Sequence, residues 1–185
     1  MEYSRRGLML GLGLTTLSGI AAAQQHAHDA LQSGSPKFQY LDATTAAELE
    51  ALTSQILPSD DGPGAREAGA VYFIDHVLAT FESGKRDAYR NGMHEVQQAR
   101  ARLFPHSSTI AGLQSAEQIQ LLHAIEKSPF FELLRTHTVW GFVGSPSYLG
   151  NRGKVGWTHI GFDDRMHFEP PFGYYDAAAR GHEKS

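Results

Sequence analysis

The sequence predicts a mainly α fold: about five helices in a single domain, followed by a long irregular, aromatic-rich C-terminal segment. Three observations predict it. Between residues 45 and 142, apolar side chains recur at spacings of three and four, the period of a helix with one buried face. Ser, Thr and Pro stand where these stripes begin, and Gly or Pro where they stop. No run of strict two-residue alternation, the mark of a half-buried strand, rivals them. With 185 residues and 41% apolar content, the chain is large enough for one domain with its own core.

The elements follow in order. Thr45 with Glu48 reads as a capping box, and Leu49, Leu52 and Ile56 continue on one face. Pro58 to Gly64 makes a turn rich in Asp, Gly and Pro. Val71, Ile74, Leu78 and Phe81 form the next stripe, with Val77 beside it, and Ser83-Gly84 breaks it. From Lys85 to Leu103 the inward residues are Tyr89, Met93, Val96 and Leu103, which leaves Arg86, Arg90, Glu95 and Arg100 toward solvent. Pro105 and the polar run to Thr109 end that helix. Ser115 with Gln118 caps another, with Ile119, Leu122 and Ile125 inward. Ser128-Pro129 opens the last, Ser as cap and Pro in the first turn, and Phe131, Leu134, Thr138 and Phe142 carry its face.

Four regions result. Residues 1–23 read as an export signal: Arg5-Arg6, a short apolar run, and Ala21-Ala22-Ala23 as a cleavage site. Adjacent arginines ahead of Gly7-Leu8 match the twin-arginine type, a route for cargo that is already folded; an ordinary secretory signal is the alternative. Residues 24–40 read as a flexible arm, 41–143 as the helical domain, and 144–185 as an irregular wrapping segment. That last segment holds Tyr148, Trp157, Phe162, Phe168, Phe172, Tyr174 and Tyr175. Disordered tails are poor in aromatics, so this one is expected to cover a surface, either its own helices or a partner.

Composition removes several classes of chemistry. The net charge of −4 gives no electrostatic support for nucleic acid. The absence of cysteine excludes disulfides, iron–sulfur ligation and thiol catalysis by this chain. Asp60-Asp61 is a carboxylate pair, yet its place before a helix suits turn and helix-start roles. Ten histidines invite a metal site, but His26 and His28 fall on the arm and the others are scattered. Only His123 and Glu126 stand at i, i+3 ligand spacing. Ser145 and Ser147 lie in a loop without a nucleophile motif.

The stretch from Gly141 to Phe162 contains six glycines. A dinucleotide loop needs G-x-G-x-x-G between a strand and a helix; here a helix precedes the glycines. They suit consecutive turns that present Arg152 and Trp157, residue types that dominate interface energy.

Two stretches carry a family resemblance. One runs Ile56-Leu-Pro-Ser-Asp-Asp-Gly-Pro-Gly-Ala-Arg-Glu-Ala-Gly69, then Val71-Tyr-Phe-Ile-Asp75. The other runs from Thr138-Val-Trp-Gly-Phe-Val-Gly-Ser-Pro-Ser-Tyr-Leu-Gly-Asn-Arg152 to Val155-Gly-Trp157 and Ile160-Gly-Phe162. From about Leu41 to Phe162 the chain resembles subunit 3, or gamma, of gluconate 2-dehydrogenase-type periplasmic oxidoreductases. Leu149 departs from the glycine more usual there.

The resemblance implies a noncatalytic small subunit without a cofactor. It would fold with, stabilise and co-export a flavoprotein large subunit through the twin-arginine translocase. That partner, of glucose–methanol–choline type, would hold FAD and oxidise a sugar or sugar acid with an acceptor other than NAD or oxygen. A multi-haem cytochrome c subunit is a further expected partner. The location implied is the periplasm, with attachment to the inner membrane through the complex left open. No catalytic, cofactor or metal residue is assigned. Tyr148, Asn151, Arg152 and Trp157 are expected to shape the partner interface or its supporting turn; for Trp157 and Tyr148, a cover for the chain's own core is the alternative. Two other readings stay open: a free-standing exported metalloenzyme using His123 and Glu126, and a periplasmic sugar-binding module with Trp157 and Tyr148 as stacking platforms.

Overall fold

A computed structural model describes residues 37–165. The export signal with Arg5 and Arg6, most of the arm with His26 and His28, and the end of the wrapping segment lie outside the described residues. The described chain is mainly helical, without strands: α1 (Ala43–Ile56), α2 (Ala65–Ala68), α3 (Ala70–Ala79), α4 (Arg86–Leu103), α5 (Ser115–Ile125), α6 (Pro129–Val143) and α7 (Val155–His159). Single 3-10 turns cover Ser83–Lys85, Pro146–Tyr148 and Arg152–Lys154. The five long helices are those the periodicity marks. No helix among the described residues is long and apolar enough to cross a membrane.

Helix α3 is the centre. From Ala70 to Leu78 every residue but His76 is buried, so its sequence is apolar nearly all round, as a core helix should be. Its most extensive contact is with α6, and α1 packs beside both. Leu49, Leu52, Ile74, Leu78, Ile110, Leu121 and Leu134 are fully enclosed between these helices, α5 and the loop before it. Gly69 joins α2 to α3 with φ +68°, a left-handed conformation that glycine takes without steric cost. A Cβ there would also strike the Arg152 side chain.

Several details differ from the sequence reading, each for a local reason. The cap of α1 is Asp42, which accepts from Thr45 N at 2.8 Å and from the Thr45 hydroxyl. Glu48 therefore closes no box. It turns inward, accepting from Gln97 Nε2 and Ile110 N, and burial raises its pKa above the ordinary carboxylate value. The cap of α5 is Gln114, whose N–H donates to Glu117 Oε2 at 2.9 Å. Gln118 is instead buried, donating to Ile110 O and Leu113 O. On α5 Leu122 and Ile125 are buried as expected, Leu121 joins them, and Ile119 is exposed. On α6 it is Phe130 that is buried, while Phe131 is half-buried; the Ser128 cap, bonded to Phe131 N, stands as expected.

The arginines also do more than face water. Arg86 donates to Leu78 O and Ala79 O, carbonyls that the end of α3 leaves without helical partners. Its guanidinium lies 4.7 Å from the Tyr40 ring centroid. Arg100 donates to Gln97 Oε1 and Ser107 O, tying the end of α4 to the following loop. Phe81 falls beyond the end of α3 at Ala79, so it leaves the stripe and is 61% exposed.

Asp75, 1% exposed, accepts from three successive backbone N–H groups: Gln39 at 2.7 Å, Tyr40 at 2.9 Å and Leu41 at 2.8 Å. Consecutive amides converging on one carboxylate form an anion nest. This clamp fixes residues 39–41 across α3, and Phe38 stacks on Tyr72 beside it. Asp75→Ala is expected to lower unfolding free energy by about 3 kcal/mol, because buried amides lose a charged acceptor. Denaturant titration of the purified variant checks this; a loss below about 1 kcal/mol would show that the clamp contributes little.

Candidate functional site

The end of α6 presents carbonyls with no partner inside the helix. The returning segment satisfies them. Gly144 N donates to Trp140 O at 2.7 Å, and Asn151 N donates to Gly141 O at 2.6 Å. Asn151 Nδ2 donates to Gly144 O at 3.0 Å, and Trp157 Nε1 donates to Val143 O at 2.6 Å. Asn151 Oδ1 then accepts from Gly156 N at 2.9 Å, which sets the start of α7. Asn151 is fully buried, and with its carbonyl accepting from Lys154 N at 2.8 Å it makes four hydrogen bonds in this segment.

The glycines make this contact possible. A Cβ on Gly141 would lie 2.9 Å from Ala70 Cα, so Gly141 lets α6 approach α3. A Cβ on Gly150 would collide with Gly141 O, and one on Gly156 with Phe142 O. The glycine-rich stretch is thus a close backbone-to-helix packing, with no phosphate cradle in it. Left-handed backbone at Leu149, Asn151, Gly153 and Lys154 turns the chain. Leu149, at φ +68°, occupies a conformation that suits glycine, which gives the departure at this position a physical meaning.

On the outside of this cap lies an aromatic face. Phe81 at 61% exposure, Trp140 at 47% and Tyr148 at 44% stand around an apolar cleft of about 290 Å³. Phe73, Val143, Gly144 and Ser145 complete its lining. Phe81 and Tyr148 meet edge to face at 5.7 Å, with His76 about 6 Å from each ring. Exposed aromatics gathered in this way mark interaction surfaces.

Beneath this face sits a polar network. His137, 1% exposed, places Nε2 2.9 Å from Glu82 Oε2 and Nδ1 2.9 Å from the Tyr89 hydroxyl. Burial pushes the Tyr89 phenol well above its ordinary pKa, and the Glu82 charge adds to this. Tyr89 therefore keeps its proton. Burial also lowers the His137 pKa, with Glu82 opposing that shift. The neutral ring matches both partners: Nε2–H donates to Glu82, and Nδ1 accepts from Tyr89.

The residues expected from sequence thus divide. Tyr148 stands on the open face. Asn151 supports the turn from inside. Arg152 is half-buried with its guanidinium 4.5 Å from the Tyr72 ring centroid. Trp157 is half-buried, holding Val143 O, with Phe162 at 5.0 Å from its ring. Phe81 and Trp140 were not expected there. The signal for Trp140 was its position off the α6 stripe, where a polar residue would be usual.

The catalytic candidates stay apart. Asp60 and Asp61 are exposed in their turn. The Ser145 and Ser147 hydroxyls pair with each other at 2.9 Å. His123 pairs with Glu126 at 2.9 Å on the surface, and among the described residues no three His, Asp or Glu side chains converge to hold a metal ion.

A protein-family model described as gluconate 2-dehydrogenase subunit 3 matches residues 43–164, more than half of the chain. The match spans every described helix and the returning segment. No curated protein and no solved structure gives a significant match.

Support and surface roles separate by mutation. Asn151→Ala is expected to cost about 3 kcal/mol, since two buried backbone groups lose their partner. Tyr148→Ala is expected to cost less than about 1 kcal/mol, as an exposed side chain should. Thermal unfolding of both variants checks the pair; equal losses would contradict the division.

Proposed function

This chain belongs to the gluconate 2-dehydrogenase subunit 3 family, the small subunits of dehydrogenase complexes, and from that premise we propose that it is the noncatalytic partner of an FAD-dependent sugar or sugar-acid dehydrogenase. In this reading it folds with a flavoprotein large subunit of glucose–methanol–choline type and stabilises it. Electrons would pass from that flavin to a multi-haem cytochrome c or another acceptor outside this chain. The Arg5-Arg6 signal would carry the assembled pair through the twin-arginine translocase to the periplasm. A route for folded cargo suits a subunit that travels with a loaded flavoprotein.

The observation that carries the partner role is the face formed by Phe81, Trp140 and Tyr148 over its apolar cleft. Large aromatics held open on a rigid helix end are typical centres of interface energy. Asn151, Arg152 and Trp157 serve this face from behind, by fixing the turn that carries Tyr148.

Affinity capture of the chain from its native cells is expected to bring down a flavoprotein near one-to-one, seen by flavin absorbance. The double variant Phe81→Ser, Trp140→Ser should retain at least about tenfold less of it. A chain recovered alone, folded and without flavin, would defeat the proposal. Replacing Arg5 and Arg6 together by Lys is expected to leave both proteins in the cytoplasm; continued export of the pair would rule out the twin-arginine route.

A further inference from the structure

The aromatic face rests on a group that can change charge. His137 lies directly under it: its ring centroid is 5.8 Å from Trp140 and 6.2 Å from Phe73, two linings of the cleft. Its Nε2 partner is Glu82, next in sequence to Phe81, the third lining residue involved. These contacts tie the imidazole to the cleft lining and, through Tyr89, to α4.

We propose that His137 is a proton-sensitive support of the Phe81–Trp140 side of this face, which is ordered when the imidazole is neutral and loosens when it is charged. The geometry supplies the reason. In the neutral ring Nδ1 accepts the Tyr89 hydroxyl proton. Protonation puts a second N–H on that side, facing the hydroxyl at 2.9 Å. The Tyr89 proton must then turn away, and Tyr89 is itself buried, with no other acceptor for its hydroxyl among the described contacts. One donor is left without an acceptor.

The charged and titratable surroundings of His137 are few. The turn between α3 and α4 supplies Glu82, which favours the cation, and Lys85, which opposes it. From α4 comes Tyr89, whose phenol stays protonated. α3 and α6 present Phe73 and Trp140, without charge. Burial outweighs the carboxylate, so the folded chain holds the proton less tightly than the unfolded chain does. The sign follows. The contribution of neutral His137 is complete above the ordinary value of 6.5 and is lost as pH falls through the lower folded value. The inference rests on the subunit reading only for what the face binds.

The test uses the full chain without partner. The carbon-bound ring proton of His137, identified by its loss in His137→Gln, is followed by NMR against pH, together with the tryptophan emission that Trp140→Phe removes. The expected midpoint lies below 6.5, with the Trp140 emission changing through the same pH and that step absent in His137→Gln. Glu82→Gln, which keeps a hydrogen-bonding side chain, should move the midpoint lower still by removing the charge that favours the cation. A resonance that stays constant until global unfolding, or an emission step that persists in His137→Gln, overturns the proposal. Capture of the flavoprotein across the same pH range then reads the partner separately. Retention that falls with the His137 titration extends the switch to binding. No capture at any pH defeats the subunit reading and leaves the switch judged by the isolated chain.

Discussion

The structure depends on how one helix ends. The last carbonyls of α6 point out of the helix that packs most extensively on the central α3, and something must accept the duty of pairing them. The chain answers with its own next segment. Asn151 and Trp157 donate to Gly141, Gly144 and Val143, and Gly156 lets the following helix touch down on Phe142 O. A glycine cap alone would have ended the helix. Folding the segment back does more, because it positions Tyr148 and covers the junction of α2, α3 and α6.

This cap explains why the glycines look like a ligand loop and are none. Phosphate loops need free amides aimed at an anion. Here the space a Cβ would fill is taken by backbone of α6 and by Ala70 of α3. The same residues that make the stretch conspicuous are those that make it dense. Leu149 shows the cost of departing from glycine: it holds a left-handed conformation, and its partly buried side chain packs against the core in return.

The helices were legible because burial imposes a period on sequence, and α1, α3, α4, α5 and α6 all carry it. What escaped reading were choices that differ by one position or by direction. Asp42 and Thr45 are both good caps, and only geometry decides between them. Phe130 and Phe131 stand about 100° apart, so a modest rotation of α6 decides which is buried, while Ile119 and Leu121 are equally apolar on nearly opposite sides of α5. Phe81 fits the stripe of α3 but lies past its end. Buried polar residues were hidden more deeply. Asp75, Glu48 and His137 each resemble surface residues in sequence, since their partners come from segments 34 to 62 positions away. The face was half legible: Tyr148 belongs to the returning segment that attracted notice, whereas Trp140 sits on a helix whose other side defines the stripe.

The division of labour among these residues bears on how a surface like this holds its shape. Exposed aromatic side chains gain little from their own burial in the free chain, so their orientation must come from what lies behind them. Two supports do this from opposite sides. The Asn151 turn holds Tyr148 through backbone hydrogen bonds that water cannot easily reach. The Glu82–His137–Tyr89 chain supports Phe81 and Trp140 from beneath, with His137 and Tyr89 in the protected interior, where each bond matters more and each lost partner costs more. The first support contains no group that titrates near neutrality. The second does. The face is therefore fixed at the Tyr148 edge and adjustable at the Phe81–Trp140 edge, and a change in charge at one buried imidazole acts on one side of the cleft while the helix cap keeps the other in place.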